Sequence, residues 1–174
     1  TLKLADDLYS QLDTIHNKCQ FKLVIPYMWE NAGSAQVVSD WVGNMGDGET
    51  VAPSPIGVPV QRATNYVGNG QLYRLNSLYY YLEPDYAEEG YGIQFVLDTD
   101  GNPVKLNPAI QMMGESDPSY GDFALGCWGD GANNTFFTKD GDTYTIEAQV
   151  LCNDGTTSWY MTGMMEYIMF TLSK

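Results

Sequence analysis

Positive charge is scarce in this chain. Eight Lys and Arg stand against 22 Asp and Glu, a formal net charge of −14 over 174 residues. A surface that neutralises phosphates needs a basic patch, so nucleic acid is not an expected partner, and neither is an anionic membrane surface. Only 17% of residues are charged at all, against about 25% in an ordinary domain. The acidity therefore comes from missing cations more than from added acids. Uncharged polar residues and Tyr are left to cover the surface.

Histidine is almost absent. His16 is the single one, which removes most acid–base and Ser-His or Cys-His nucleophilic chemistry. There is no G-x-S-x-G elbow and no Gly-rich phosphate loop followed by Lys. The three cysteines, Cys19, Cys127 and Cys152, make no even-numbered framework and no C-x-x-C pair. Too few soft ligands remain for structural zinc. Three buried free thiols are expected, with one Cys127–Cys152 bridge as the alternative. Cys127 between Gly126 and Trp128 reads as a packed thiol. No apolar run reaches the length of a membrane-crossing helix. No cofactor, metal or catalytic residue is assigned.

One segment opens like a calcium loop: Asp98, Asp100 and Asn102 give D-x-D-x-N. The remainder departs from that pattern, with Pro103 where Gly is needed and Ala109 where a bidentate Glu belongs. A looser oxygen set, Asp117, Asp122, Asp130 and Asn133, also reads as turn chemistry.

What is present is apolar and aromatic. The apolar share is 44%, including 4 Trp, 13 Tyr and 6 Phe, enough for one domain with a real core. Leu4, Leu8, Leu12 and Ile15 form a helical stripe, so residues 1–18 are expected to be a helix or a linker from an upstream segment. Residues 19–174 are expected to form a single β-sandwich domain. Cys19 to Ile25 reads as a strand. Ile56 to Gln61, interrupted by Pro59, reads as an edge strand or loop. Gln71 to Leu82 and Tyr91 to Leu97 read as strands, the first long and aromatic. In Thr143 to Cys152, Tyr144, Ile146, Ala148, Val150 and Cys152 share one face. Thr157 to Leu172 is apolar on both parities and has Gly163 as a natural bulge.

Asp-Gly pairs mark the turns. Asp154-Gly155 joins the last two strands, Asp140-Gly141 joins Thr135–Thr138 to Thr143–Cys152, and Asp100-Gly101 joins Ile93–Leu97 to Val104–Leu106. The fold class that follows is mainly β. It is an antiparallel β-sandwich (jelly-roll or Ig-like) with one N-terminal α-helix, or alternatively a closed antiparallel β-barrel. Tyr27 to Pro55 and Asn107 to Asn134 lack strong periodicity and read as long loops.

Those irregular segments hold the candidate ligand-binding residues: Trp29 with Glu30, Trp41 with Asn44, and Trp128 with Asp130. Each places an aromatic face beside an amide or carboxylate. Sugar recognition uses that combination, the ring covering C–H faces while the polar groups bond hydroxyls. Glu147 and Glu166, on the last two strands, are the carboxylate pair that a glycoside hydrolase would need.

The Asp98-Thr-Asp-Gly-Asn102 and Thr138-Lys-Asp-Gly-Asp142 hairpins and the Trp- and Tyr-rich, Lys-poor texture of Tyr91 to Lys174 resemble β-sandwich modules of secreted or surface lipoproteins of polysaccharide-foraging gut bacteria. The resemblance implies export to the periplasm or cell surface, a lipid anchor or further domain upstream of Thr1, and glycan or cell-surface binding. The expected function is a non-catalytic binding module with carbohydrate as the leading ligand class. The alternatives are a structural or assembly domain of a surface lipoprotein, and a small β-fold glycoside hydrolase.

Overall fold

The computed structural model describes residues 25–44, 56–78, 91–127 and 136–173. The helix expected over 1–18, nearly all of the Cys19–Ile25 strand, and Trp128 and Asp130 lie outside the described residues. The strands are β1 (Trp29–Ser39), β2 (Ile56–Ala63), β3 (Gln71–Leu75), β4 (Ile93–Leu97), β5 (Pro103–Leu106), β6 (Ile110–Asp117), β7 (Gly121–Gly126), β8 (Phe137–Asp140), β9 (Thr143–Cys152) and β10 (Tyr160–Leu172). One short helix, α1 (Asp40–Asn44), follows β1. All pairings are antiparallel, in the order β5-β4-β3-β2-β1-β10-β9-β7-β6, with β8 also on β9. The mainly antiparallel β class is as expected; the strands make one sheet, nearly closed into a barrel.

The C-terminal hairpin forms where its sequence places it. The connection runs from Asn153 to Trp159, and within it Asp154 and Gly155 take φ of 48° and 69°, the left-handed centre of a turn in which the Thr156 N–H donates to the Asn153 carbonyl at 2.7 Å. The β9–β10 register shifts between Met161 and Met165. Gly163, at φ 87°, supplies the bulge.

Four expectations are corrected. The stretch from Tyr27 holds β1, a central eleven-residue strand. Most of its residues are small or polar, so its extended state comes more from pairing with β2 and β10 than from propensity. β2 is central too. Pro59 is accommodated because β3 engages β2 only at Gln61 and Arg62, leaving the Pro59 stretch paired on one side. The strand expected over Gln71 to Leu82 ends at Leu75, where the chain turns and Ser77 takes a φ of 55°. Finally, Asn107 to Asn134 contains β6 and β7.

β7 and β8 follow the same edge of β9 in the same direction. Partner numbers sum to 275 along β7 and to 283 along β8, so eight residues have been added to what is otherwise one strand.

The core lies on the concave side of the sheet. Alternate residues from all ten strands meet there, with Phe95 at the centre: Tyr73, Phe137 and Phe170 lie 5.6, 5.3 and 4.9 Å from it, centroid to centroid. Tyr144 stacks on Phe170 at 4.9 Å.

Closure of the sheet uses side chains. The buried Gln111 of β6 accepts from the Gln94 N–H of β4 at 2.6 Å, and its Nε2 donates to the Gln94 carbonyl at 2.7 Å. A side-chain amide thus occupies the place of a neighbouring strand. At the other end of this seam, Tyr144 Oη and Lys139 Nζ donate to the Gly101 carbonyl at 2.8 and 3.0 Å.

Candidate functional site

Register decides which side chains share the convex face, because directly paired residues point the same way. Asn31 pairs with Gln61, Gln61 with Arg74, and Arg74 with Gln94. Four adjacent strands therefore carry one polar row of three amides and a guanidinium. At a strand spacing of about 4.8 Å the row spans about 14 Å. A parallel apolar row holds Ala63, Leu72 and Val96, with Trp29 and Tyr66 packed on it.

Trp29 heads the apolar row opposite Ala63 and touches the polar one through Arg74. The Arg74 guanidinium sits 4.2 Å above its ring, a cation–π contact. Arg74 Nε donates to Gln61 Oε1 at 2.8 Å. Tyr27 meets Trp29 edge-on at 5.8 Å, and Tyr66 lies 6.0 Å from Tyr27. The lead-in to β1 is fixed by Asn65, whose Oδ1 accepts from the Met28 N–H at 2.8 Å while its Nδ2 donates to the Pro26 carbonyl at 3.0 Å. One amide side chain thereby positions the tyrosine before Trp29.

At its β4 end the polar row runs into the seam. There a cleft of about 220 Å³ opens between β3, β4 and β6, lined among others by Arg74, Asn76, Tyr91, Gln94, Gln111 and Met112. Tyr91 leans against Gly114, where a Cβ would stand 2.4 Å from its ring. Beyond the β1 end, Asn31, Ser34, Pro59 and Thr171 border a shallower depression. Donors and acceptors on an aromatic-edged strip between two hollows can bond hydroxyls along an extended ligand.

The other expected residues are placed elsewhere. Glu30 follows Trp29, so strand alternation turns it to the opposite face, where Arg62 Nε and Nη2 both donate to its Oε1. Trp41 packs against the core, 4.3 Å from Phe123. Asn44 is the last residue of α1. The Asp98 carboxylate serves its turn: Oδ1 accepts from the N–H groups of Asp100 and Asn102 at 2.9 and 2.7 Å, and Oδ2 from Asn102 Nδ2 at 3.1 Å. Those Asn102 bonds hold Asp98 below the usual carboxylate range.

Glu147 and Glu166 do not face each other. Glu147 pairs with Tyr167 and Glu166 with Ala148, which sets them on opposite sides of the sheet. Glu166 is fully buried. Its Oε1 accepts from Ser39 Oγ at 2.9 Å and the Trp41 N–H at 3.3 Å, while Oε2 has no partner among the described residues. Burial pushes its pKa up to about 8, against the pull of the Ser39 and Trp41 bonds. Cys127 and Cys152 are free thiols. Cys127 Sγ lies 3.6 Å from the Glu147 carbonyl, and burial pushes its pKa up to about 12. That thiol stays protonated and is a packing group rather than a nucleophile. Among the described residues no helix is long and apolar enough to cross a membrane.

Arg74, Gln61, Gln94 and Gln111 were not among the residues expected at a site. Gln94 sits on the polar parity of its strand, and Arg74 is the single cation in an aromatic run. Those are the signals that could have found them. Compared with protein-family models, curated proteins and solved structures, the chain matches none.

Proposed function

We propose that this domain is a non-catalytic binding module of an exported or cell-surface bacterial protein and that its ligand is carbohydrate. The observation that carries the reading is the polar row Asn31–Gln61–Arg74–Gln94 beside Trp29 on the convex face. Amides bond sugar hydroxyls as both donors and acceptors, and an aromatic edge covers their C–H faces. The row crosses several strands, a length suited to a chain of sugar rings. The opposite-face placement of Glu147 and Glu166 favours binding over hydrolysis by that pair, since hydrolysis needs two carboxyls flanking one bond. The cation-poor, amide-rich composition supports the extracellular setting.

Affinity electrophoresis through gels cast with individual polysaccharides tests the function. Retardation by at least one polysaccharide is expected, lost in Trp29→Ala and retained in Trp41→Phe. Unretarded migration in every gel overturns the proposal. An export leader on the full-length precursor checks the location.

A further inference from the structure

The chain's two arginines, in a protein of net charge −14, stand on neighbouring strands and have opposite fates. Arg62 is neutralised by Glu30, the only ion pair among the described residues. Arg74 meets no carboxylate there. Its Nε is engaged by the Gln61 amide and one face of its guanidinium by Trp29. The Nη groups have no partner among the described residues, and Arg74 lines the seam cleft. A half-buried cation has lost part of its hydration, a cost that neither an amide nor a ring fully offsets. Among the described residues no acid takes the place beside Arg74 that Glu30 takes beside Arg62. An anion arriving from outside would pair with Arg74 at a fork already oriented by Gln61 and Trp29.

Resting on the binding-module reading above, we propose that the ligand is an acidic saccharide, and that Arg74 receives a sugar carboxylate while the amides of Gln61 and Gln94 bond hydroxyls of adjoining rings. The net negative charge elsewhere repels polyanions, so binding is confined to this face and weakens as salt rises. Arg62, already paired, contributes no such site.

The test is affinity electrophoresis in two sets of gels. One set contains polygalacturonate, alginate or hyaluronate; the other contains neutral xyloglucan, arabinogalactan or β-glucan. Retardation by at least one acidic polymer and by no neutral one is expected. High salt and Arg74→Gln should each weaken it about tenfold or more, with part restored in Arg74→Lys. Methyl esterification of the retarding polymer should have the same effect as Arg74→Gln, with thermal melts confirming that the variant is folded. Retardation by neutral polymers alone overturns the acidic specificity and leaves the carbohydrate reading standing. Retardation by none overturns both. Retardation by an acidic polymer that Arg74→Gln does not change removes Arg74 from the assignment.

Discussion

The long wall and the seam of the sheet are held in different ways. Along the wall, β10 pairs with β9 at nine positions, on either side of the Gly163 bulge, and with β1 at seven, so the backbone ladder sets most of the geometry. At the seam, Gln111 stands in for a strand beside Gln94, and Tyr144 with Lys139 holds Gly101. A ladder leaves no room between strands, whereas closure by side chains leaves a gap. The cleft of the candidate site is that gap.

If the wall bears the stability, its aromatic core is where damage is greatest. Phe170→Ala, which empties a site touching Phe95, Phe137 and Tyr144, is expected to cost about 4 kcal/mol in urea unfolding. A loss under about 1 kcal/mol would mean the core does not centre there.

Glu166 gives the wall a pH dependence. Folded, it holds its proton to about pH 8; its ordinary pKa is 4.5. Between those values the folded state binds a proton that the unfolded chain has released. Stability therefore falls as pH rises through that window and levels off above it. The fall is about 3 kcal/mol from pH 5 to pH 7. Subtracting the pH profile of Glu166→Gln from that of the native protein isolates it, and a flat difference would show that the carboxyl ionises normally.

The seam should yield less. Gln111→Ala removes two bonds to Gln94 and is expected to cost about 2 kcal/mol. Hydrogen exchange at the Gln94 amide should quicken while that of Ile168, inside the wall, keeps its relative protection. Equal acceleration at both would erase the distinction between the two regions. Least costly to the fold is Arg74→Gln, which gives up a cation–π contact of about 0.5–1 kcal/mol. A melt that drops as far as that of Phe170→Ala would make Arg74 structural.

The same division runs through what could be read from sequence. Tyr144, Ile146, Ala148 and Val150 alternate, Asp154-Gly155 turns and Gly163 bulges; each is a local signal, and the wall obeys all three. β1 carried no such signal, because Ala35, Gln36 and Ser39 extend only with partners on both sides. Pro59 argued against a central strand until the short reach of β3 made it harmless. At the site, Trp29 was legible as an aromatic beside polar residues, but its neighbour Glu30 faces the other way, and Trp41 packs against the core. The partners Trp29 does have, Arg74 and Gln61, come from strands distant in sequence. Only register brings them together, and composition says nothing of register.

The interrupted strand along β9 has a consequence for how this molecule can vary. β7 leaves that edge after Gly126 and β8 rejoins it at Phe137, and across the register offset of eight Phe123, Leu125 and Phe137 all point inward. Because the chain departs and returns on one edge, length between Cys127 and Phe136 is decoupled from the architecture. A peptide spliced there should leave the melting temperature nearly unchanged, making this position a port where new surface can be grafted onto a finished scaffold.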